Sequence, residues 1–136
     1  MKIKLLCVND NLDEYLNLIQ QLKSTNLKTD DIKNFLLKRP EKIFIIKKNK
    51  KIVGSITFIL EKKIIHDGKF VLHIEDVIVD KNYRGLGIAS KLLNFSKDYA
   101  RENNCYKIIL DCDEKLKVFY EKNKFENKNI QMSIYL

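Results

Sequence analysis

Arg84, Gly85, Gly87 and Ala89 fall in one short stretch, YRGLGIAS, between a run rich in branched aliphatic residues and a run with helical periodicity. Where a strand feeds a helix, the first helical N–H groups have no intrahelical partner and carry partial positive charge, which suits a phosphate. Gly85 and Gly87 let a ligand approach the backbone where a Cβ would exclude it, and Ala89 keeps the next turn small. Arg84 adds a fixed cation. The whole chain has only four glycines, so two at this junction carry information. A βα turn without any ligand uses the same residue types. A nucleoside-triphosphate loop would need Gly-Lys-Ser/Thr after four intervening residues, and a dinucleotide loop would need GxGxxG early in a βαβ unit; neither is present.

A second set precedes and follows that turn. Glu75 and Asp76 lie within HIEDVIV, amid apolar neighbours. Adjacent strand residues project to opposite faces, so only one carboxylate lines a given pocket unless a bulge intervenes. Buried carboxylates are costly unless paired, and an ion pair with one of the many lysines is the competing reading. His73 shares the strand face of Glu75, either as a base or, the preferred reading, as a packed and hydrogen-bonded side chain. Asp111 and Cys112 follow the later strand. Cys112 has the chemistry of an acyl nucleophile, but no histidine is near it in sequence. Tyr120 follows Phe119; on a helix the two point in different directions, so one can fill core while the other faces a site.

The elements that must hold these residues are legible from periodicity. Asp10 to Gln21 spaces Leu12, Tyr15, Leu16, Ile19 and Leu22 helically, with Asp10 as the expected N-cap. A second helix begins near Thr29 and stops before Pro40. Residues 43–47 and 52–60 read as a hairpin about KKNKK, and residues 62–66 and 69–80 as another about Asp67-Gly68. A helix follows from Gly87 to Asn103, then a strand through Ile108 and Leu110, a short helix over 114–122 and a last strand over 130–136. This order implies an α/β (α+β) domain spanning 1–136, with a mixed, mostly antiparallel twisted sheet flanked by helices on both faces. The crossover from 77–79 to 108–110 is expected to be parallel and right-handed.

Composition narrows the function classes. The chain has 136 residues, is 45% hydrophobic and 32% charged, and carries a net charge of +8. No apolar run is long enough for a membrane span and the N-terminus has no signal-peptide pattern, so a cytoplasmic setting without membrane contact is expected. Cys7, Cys105 and Cys112 show no metal spacing and there are two histidines, so no metal and no disulfide is expected. Arginine is scarce and the lysines are dispersed, which argues against a nucleic-acid partner. The positive field favours anionic small molecules.

The pattern R-x-x-G-x-A at a strand end, carried by Arg84, Gly87 and Ala89, resembles the acyl-CoA pyrophosphate loop of the GNAT superfamily of N-acetyltransferases. Within it, KKIIHDGKFVLHIEDVIVDKNYRGLGIASKLL, NNCYKIILDC and VFYEK are similar to the glucosamine-6-phosphate N-acetyltransferases, and so is YLNLIQQL near the N-terminus. The resemblance implies acetyl-CoA as co-substrate, an amino-sugar phosphate as acceptor, a homodimer and no metal. It implies that Val77, Ile78 and Val79 hold the thioester arm through their backbone. Arg84, Gly85, Leu86, Gly87, Ile88, Ala89 and Ser90 would cradle the pyrophosphate, with Lys122 and Tyr120 also at the CoA. Tyr120 would assist the leaving thiolate, and Glu75, Asp76, Asp111 and Lys63 would meet the sugar phosphate. In that family the main-chain carbonyl of the residue matching Asp111 orients the amine. The chain departs from the pattern at Leu116, where the family often has asparagine, and at Asn123-Lys124, which replaces Phe-Gly. IQMSIYL lacks an arginine that some members supply across the dimer. Another amine, such as a polyamine or protein N-terminus, a basic nucleic-acid-binding role and a non-catalytic CoA-binding role remain the alternatives.

Overall fold

The computed structural model describes residues 1–136. In chain order the elements are β1 (Lys2–Leu5), α1 (Leu12–Gln20), α2 (Thr29–Lys38), β2 (Lys42–Lys48), β3 (Lys51–Lys63), β4 (Lys69–Val79), α3 (Ile88–Glu102), β5 (Cys105–Ile109) and α4 (Lys117–Lys122). Single 3₁₀ turns occupy Ile64–His66, Lys81–Tyr83 and Glu114–Leu116. The five strands form one sheet in sequence order; every pairing is antiparallel except β4 with β5. The expected mixed sheet with helices on both faces is what forms.

Each face is closed by the apolar stripe of its helices. On one, Leu12, Tyr15 and Leu18 of α1 and Ile32 of α2 cover Ile43, Ile45, Ile52 and Ile78. On the other, Ile88, Leu92, Leu93 and Ala100 of α3 cover Ile46, Val53, Ile56, Phe58, Leu72 and Ile74, with Tyr120 of α4 beside them. Phe44 and Phe58 pack with Phe95 and Tyr99, their ring centroids 4.8–5.9 Å apart across the strand–helix contact, distances at which aromatic pairs add to area burial. The β2–β3 turn places both Asn49 and Lys50 at positive φ (51° and 68°), the twist that a two-residue hairpin requires.

Four sequence expectations need correction. Asn11, not Asp10, caps α1: its side chain accepts from Glu14 N–H at 3.1 Å. Asp10 folds back, accepting from Cys7 N–H at 2.8 Å and from Lys4 Nζ at 2.6 Å, with Lys47 Nζ at 3.6 Å. Burial works against its ionisation, yet these partners hold its carboxyl below the usual range. β1 was not anticipated; its four residues acquire strand character by pairing with β2. Residues 130–136 form no strand, and Ile130, Met132, Ile134, Tyr135 and Leu136 stand exposed. An alternating apolar sequence becomes a strand only when an edge accepts its hydrogen bonds, and no strand of this chain does so. Finally, residues 62–66 do not open a separate hairpin: Lys62 and Lys63 continue β3, and Ile64–His66 form a 3₁₀ turn. β5 is parallel to β4 as expected, and its pairing is confined to Phe70–His73, short of residues 77–79.

Candidate active site

The short β4–β5 pairing creates the site. Beyond His73 the parallel strands part, and the outer edge of β4 from Glu75 to Val79 has no strand beside it. Its backbone groups on that side face a wedge between β4 and the chain leaving β5. The opposite edge of β4 remains paired with β3, through Ser55 with Ile78 and Thr57 with Glu75. Between these two pairs β4 has one residue more than β3. Asp76 absorbs it, with φ at 50°, a left-handed conformation that aspartate tolerates better than most residues. The bulge resolves the facing problem posed by adjacent carboxylates. Glu75 and Asp76 are both exposed at the wedge, and neither lies in any of the ion pairs, all of which involve other carboxylates.

Electrostatics single out Glu75. Partial burial, then the neighbouring charges of Asp76 and Asp111, push its carboxyl above the usual range, with His73 acting against them. Asp76 also acts on Tyr15, a buried α1 residue whose phenol is pushed up to about 12 by burial and by that charge. Ser55 is near enough to moderate the effect, although its fully buried hydroxyl makes no hydrogen bond of ordinary geometry.

At the far end of β4, Asp80 N–H donates to Val53 O at 2.8 Å, and the Asp80 carboxylate accepts from Asn82 N–H at 2.9 Å with Lys51 Nζ at 3.5 Å. This fixes the exit of the strand, so the next turn is rigidly placed. Arg84 Nε donates to Val79 O at 3.3 Å and the rest of its side chain is exposed. Gly85 and Gly87 follow at φ of 79° and 77°, and a Cβ at either would meet nothing within 4 Å. The glycines are therefore required by backbone conformation, and the space beside them is open. Backbone N–H groups from Gly85 to Ser90 donate to no backbone carbonyl, and no side chain caps α3. Ile88, fully buried, anchors this donor set to the sheet.

Asp111, two residues past the end of β5, is exposed and accepts from Gln131 Nε2 at 3.1 Å. Its charge reaches Glu75 across the wedge. Tyr120 is buried with its ring edge-on to Phe119 and Phe125, at 5.1 and 5.9 Å; burial and the adjacent Cys112 raise its phenol. Cys112 is itself pushed up by burial and by Asp113, Glu114 and Asp111, which keeps it a thiol and disfavours a nucleophilic role. Lys122 is exposed at the end of α4. Lys63 Nζ lies 3.8 Å from Glu61 Oε1, which also meets His73 Nε2 at 3.2 Å. Sequence reasoning passed over Glu61 and Tyr15. The alternation Ile59, Glu61 on β3 opposite His73, Val71 on β4 carries the first, once the hairpin register is known.

A cavity of about 390 Å³ lies elsewhere, between α1 and the start of β3, and is lined by Asp13, Glu14, Gln21, Lys51 and Asp80 among others. Several of its polar groups are already engaged by nearby backbone: Glu14 accepts from Ile52 N–H and Gln21 from Lys81 N–H. It shares no residue with the wedge. No helix is long and apolar enough to cross a membrane.

Comparison with known proteins agrees with this geometry. The acetyltransferase (GNAT) family matches residues 9–125. Glucosamine 6-phosphate N-acetyltransferase 1 of Dictyostelium discoideum is 38% identical, over 93% of this chain and 86% of that protein. Glucosamine 6-phosphate N-acetyltransferase of Arabidopsis thaliana is 34% identical, over 98% and 95%. The crystal structure of glucosamine-6-phosphate N-acetyltransferase from Arabidopsis thaliana superimposes with a TM-score of 0.89 at 33% identity, covering 98% of this chain and 97% of that one. A parted β4–β5 pair, a bulge at its mouth and an uncapped glycine turn are thus found in a chain that belongs to the GNAT acetyltransferase family and, within it, to the glucosamine 6-phosphate N-acetyltransferases.

Proposed function

We propose that this protein transfers the acetyl group of acetyl-CoA to the 2-amine of glucosamine 6-phosphate, by direct attack with both substrates bound. The observation that carries the reading is the succession of three features from the mouth of the β4–β5 wedge to the start of α3. The unpartnered N–H groups of Gly85–Ser90 suit a pyrophosphate. The free edge of β4 over Val77–Val79 suits the amide-bearing arm. Glu75, Asp76 and Asp111 suit the amine and hydroxyls of a sugar. Family membership supports the donor, and the names of the relatives support the acceptor.

Acetyl-CoA supplies an activated thioester when bound. Arg84 and the turn hold its phosphates, with Lys122 at the rim, and the backbone of Val77–Val79 fixes the arm and polarises the carbonyl. Glu75, whose proton affinity is raised by partial burial and by Asp76 and Asp111, takes a proton from the ammonium. The Asp111 main-chain carbonyl orients the amine. Tyr120, kept protonated by burial, gives its proton to the departing thiolate. Lys63 contacts the sugar phosphate, and the positive net charge draws in both anionic substrates.

The proposal includes a homodimer. Exposed Ile130, Met132, Ile134 and Tyr135 in an alternating tail, and exposed Ile64 and Ile65 at the β3–β4 turn, are apolar surface that a second copy would cover. Three unpaired cysteines suit a reducing, cytoplasmic setting. The test is to incubate the protein with acetyl-CoA and, separately, glucosamine 6-phosphate, a polyamine and a peptide N-terminus, and identify products by mass. Acetylation of the amino-sugar phosphate is expected; acetylation of another amine alone would replace the acceptor.

A further inference from the structure

Glu61 and His73 form a pair for which the reaction above has no use. Their strands are antiparallel neighbours, and Glu61 is diagonal to His73 on one sheet face, so His73 Nε2 and Glu61 Oε1 meet at 3.2 Å. Glu61 is held below the usual carboxylate range by this hydrogen bond and by Lys63, so it is ionised and accepts. The Nε2 proton must then be on His73, which leaves Nδ1 of the neutral ring as the basic nitrogen. His73 stands two residues before Glu75 on the same face of β4. It lies at the last rung before the strands part, opposite Ile109 of β5. The charged groups around it are Glu61 and Lys63 from β3, Glu75 from its own strand, Lys107 from β5 and Asp111 from the chain leaving β5. His73 is partly exposed and Glu61 is more so, at 29% and 53% of their side chains. The pair therefore connects the edge of the site to bulk water.

The chemistry requires such a connection. An ammonium and a thioester give an amide, a thiol and one proton. The first N–H proton goes to Glu75 before attack. The C–N bond then forms, the C–S bond breaks, and a second N–H proton replaces the one that Tyr120 gives to sulfur. Glu75 is left protonated beside Asp76 and Asp111 and must discharge before the next turnover. We propose that the Glu61–His73 pair is the exit for that proton: Glu75 passes it to Nδ1 of His73, directly or through one water, Nε2–H releases a proton to Glu61 and solvent, and exchange of the partly exposed ring with water returns it to the Nε2–H form. This rests on the reading of Glu75 as the base.

The test uses the full-length protein. Imidazole ¹⁵N NMR of wild type is expected to show His73 as the Nε2–H tautomer; an Nδ1–H tautomer would overturn the relay whether or not any amine turns over. In thiol-release assays with glucosamine 6-phosphate, His73→Gln is expected to lower kcat by about 10- to 100-fold at neutral pH. KM should be unchanged, with recovery at high pH and partial rescue of His73→Ala by added imidazole. Glu61→Gln is expected to shift the acidic limb of the kcat profile and leave KM alone. A pH-independent loss, or loss through KM, would assign the pair a structural role and overturn the proposal. If Glu75→Gln retains full turnover, the base assignment fails instead; loss in Glu75→Gln with normal His73 variants sinks the relay alone.

Discussion

Gly54 of β3 lies directly beneath Ile88, the first residue of α3: a Cβ on Gly54 would stand 3.1 Å from Ile88 Cγ2 and 2.8 Å from Ile46 Cγ2. The helix whose N-terminus offers its N–H groups to the wedge is thus seated at a depth that only glycine permits. A larger residue must push either Ile46 or the first turn of α3. Gly54→Ala is therefore expected to cost about 1–3 kcal/mol by overpacking and to weaken acetyl-CoA binding. Chemical denaturation and calorimetry measure the two effects. Unaltered cofactor affinity would detach the seat of α3 from the binding turn.

Gly87→Val makes a contrasting case. The space around Gly87 is open but its φ is positive, so valine costs about 1–2 kcal/mol in backbone strain and projects a side chain where the ligand approaches. Loss of acetyl-CoA binding with the fold retained is expected. Wild-type affinity would remove the turn from the site.

Tyr120→Phe retains the packing against Phe119 and Phe125 and removes only the hydroxyl. Turnover is expected to fall by on the order of 10²-fold, with acetyl-CoA affinity nearly unchanged. Unchanged turnover would leave Tyr120 as core alone.

The raised carboxyl of Glu75 gives a pH dependence with a definite sign. Its folded pKa exceeds the unfolded one, so the folded state holds the proton more tightly. Relative to the unfolded chain this favours folding at acidic pH, and the advantage is lost as pH rises through the elevated folded value. Glu75→Gln is expected to unfold at a higher denaturant midpoint than wild type at neutral pH while losing turnover. The gain should vanish at acidic pH. A lower midpoint at neutral pH would contradict the assigned environment.

Much of this was legible in the chain because it is local. The stripe on α3, the turns at Asn49 and Asp67 and the donor-rich turn at Arg84–Ser90 depend on neighbours a few residues away. What could not be read depends on register. The bulge at Asp76 exists only in the pairing of β4 with β3, and the wedge only in the pairing of β5 with the first half of β4. The cap of α1 was a choice between two adjacent cap-forming residues, decided by Lys4 and Lys47 drawing Asp10 away. Tyr120 reads equally as core or site because it is both buried and next to Cys112 at the edge of the wedge.

The central claim is tested most directly by thiol release from acetyl-CoA, with glucosamine 6-phosphate and unphosphorylated glucosamine compared as acceptors under one set of conditions. Saturable release with the phosphorylated sugar and much weaker release with glucosamine are expected. Binding of acetyl-CoA with no release on adding glucosamine 6-phosphate would contradict the account.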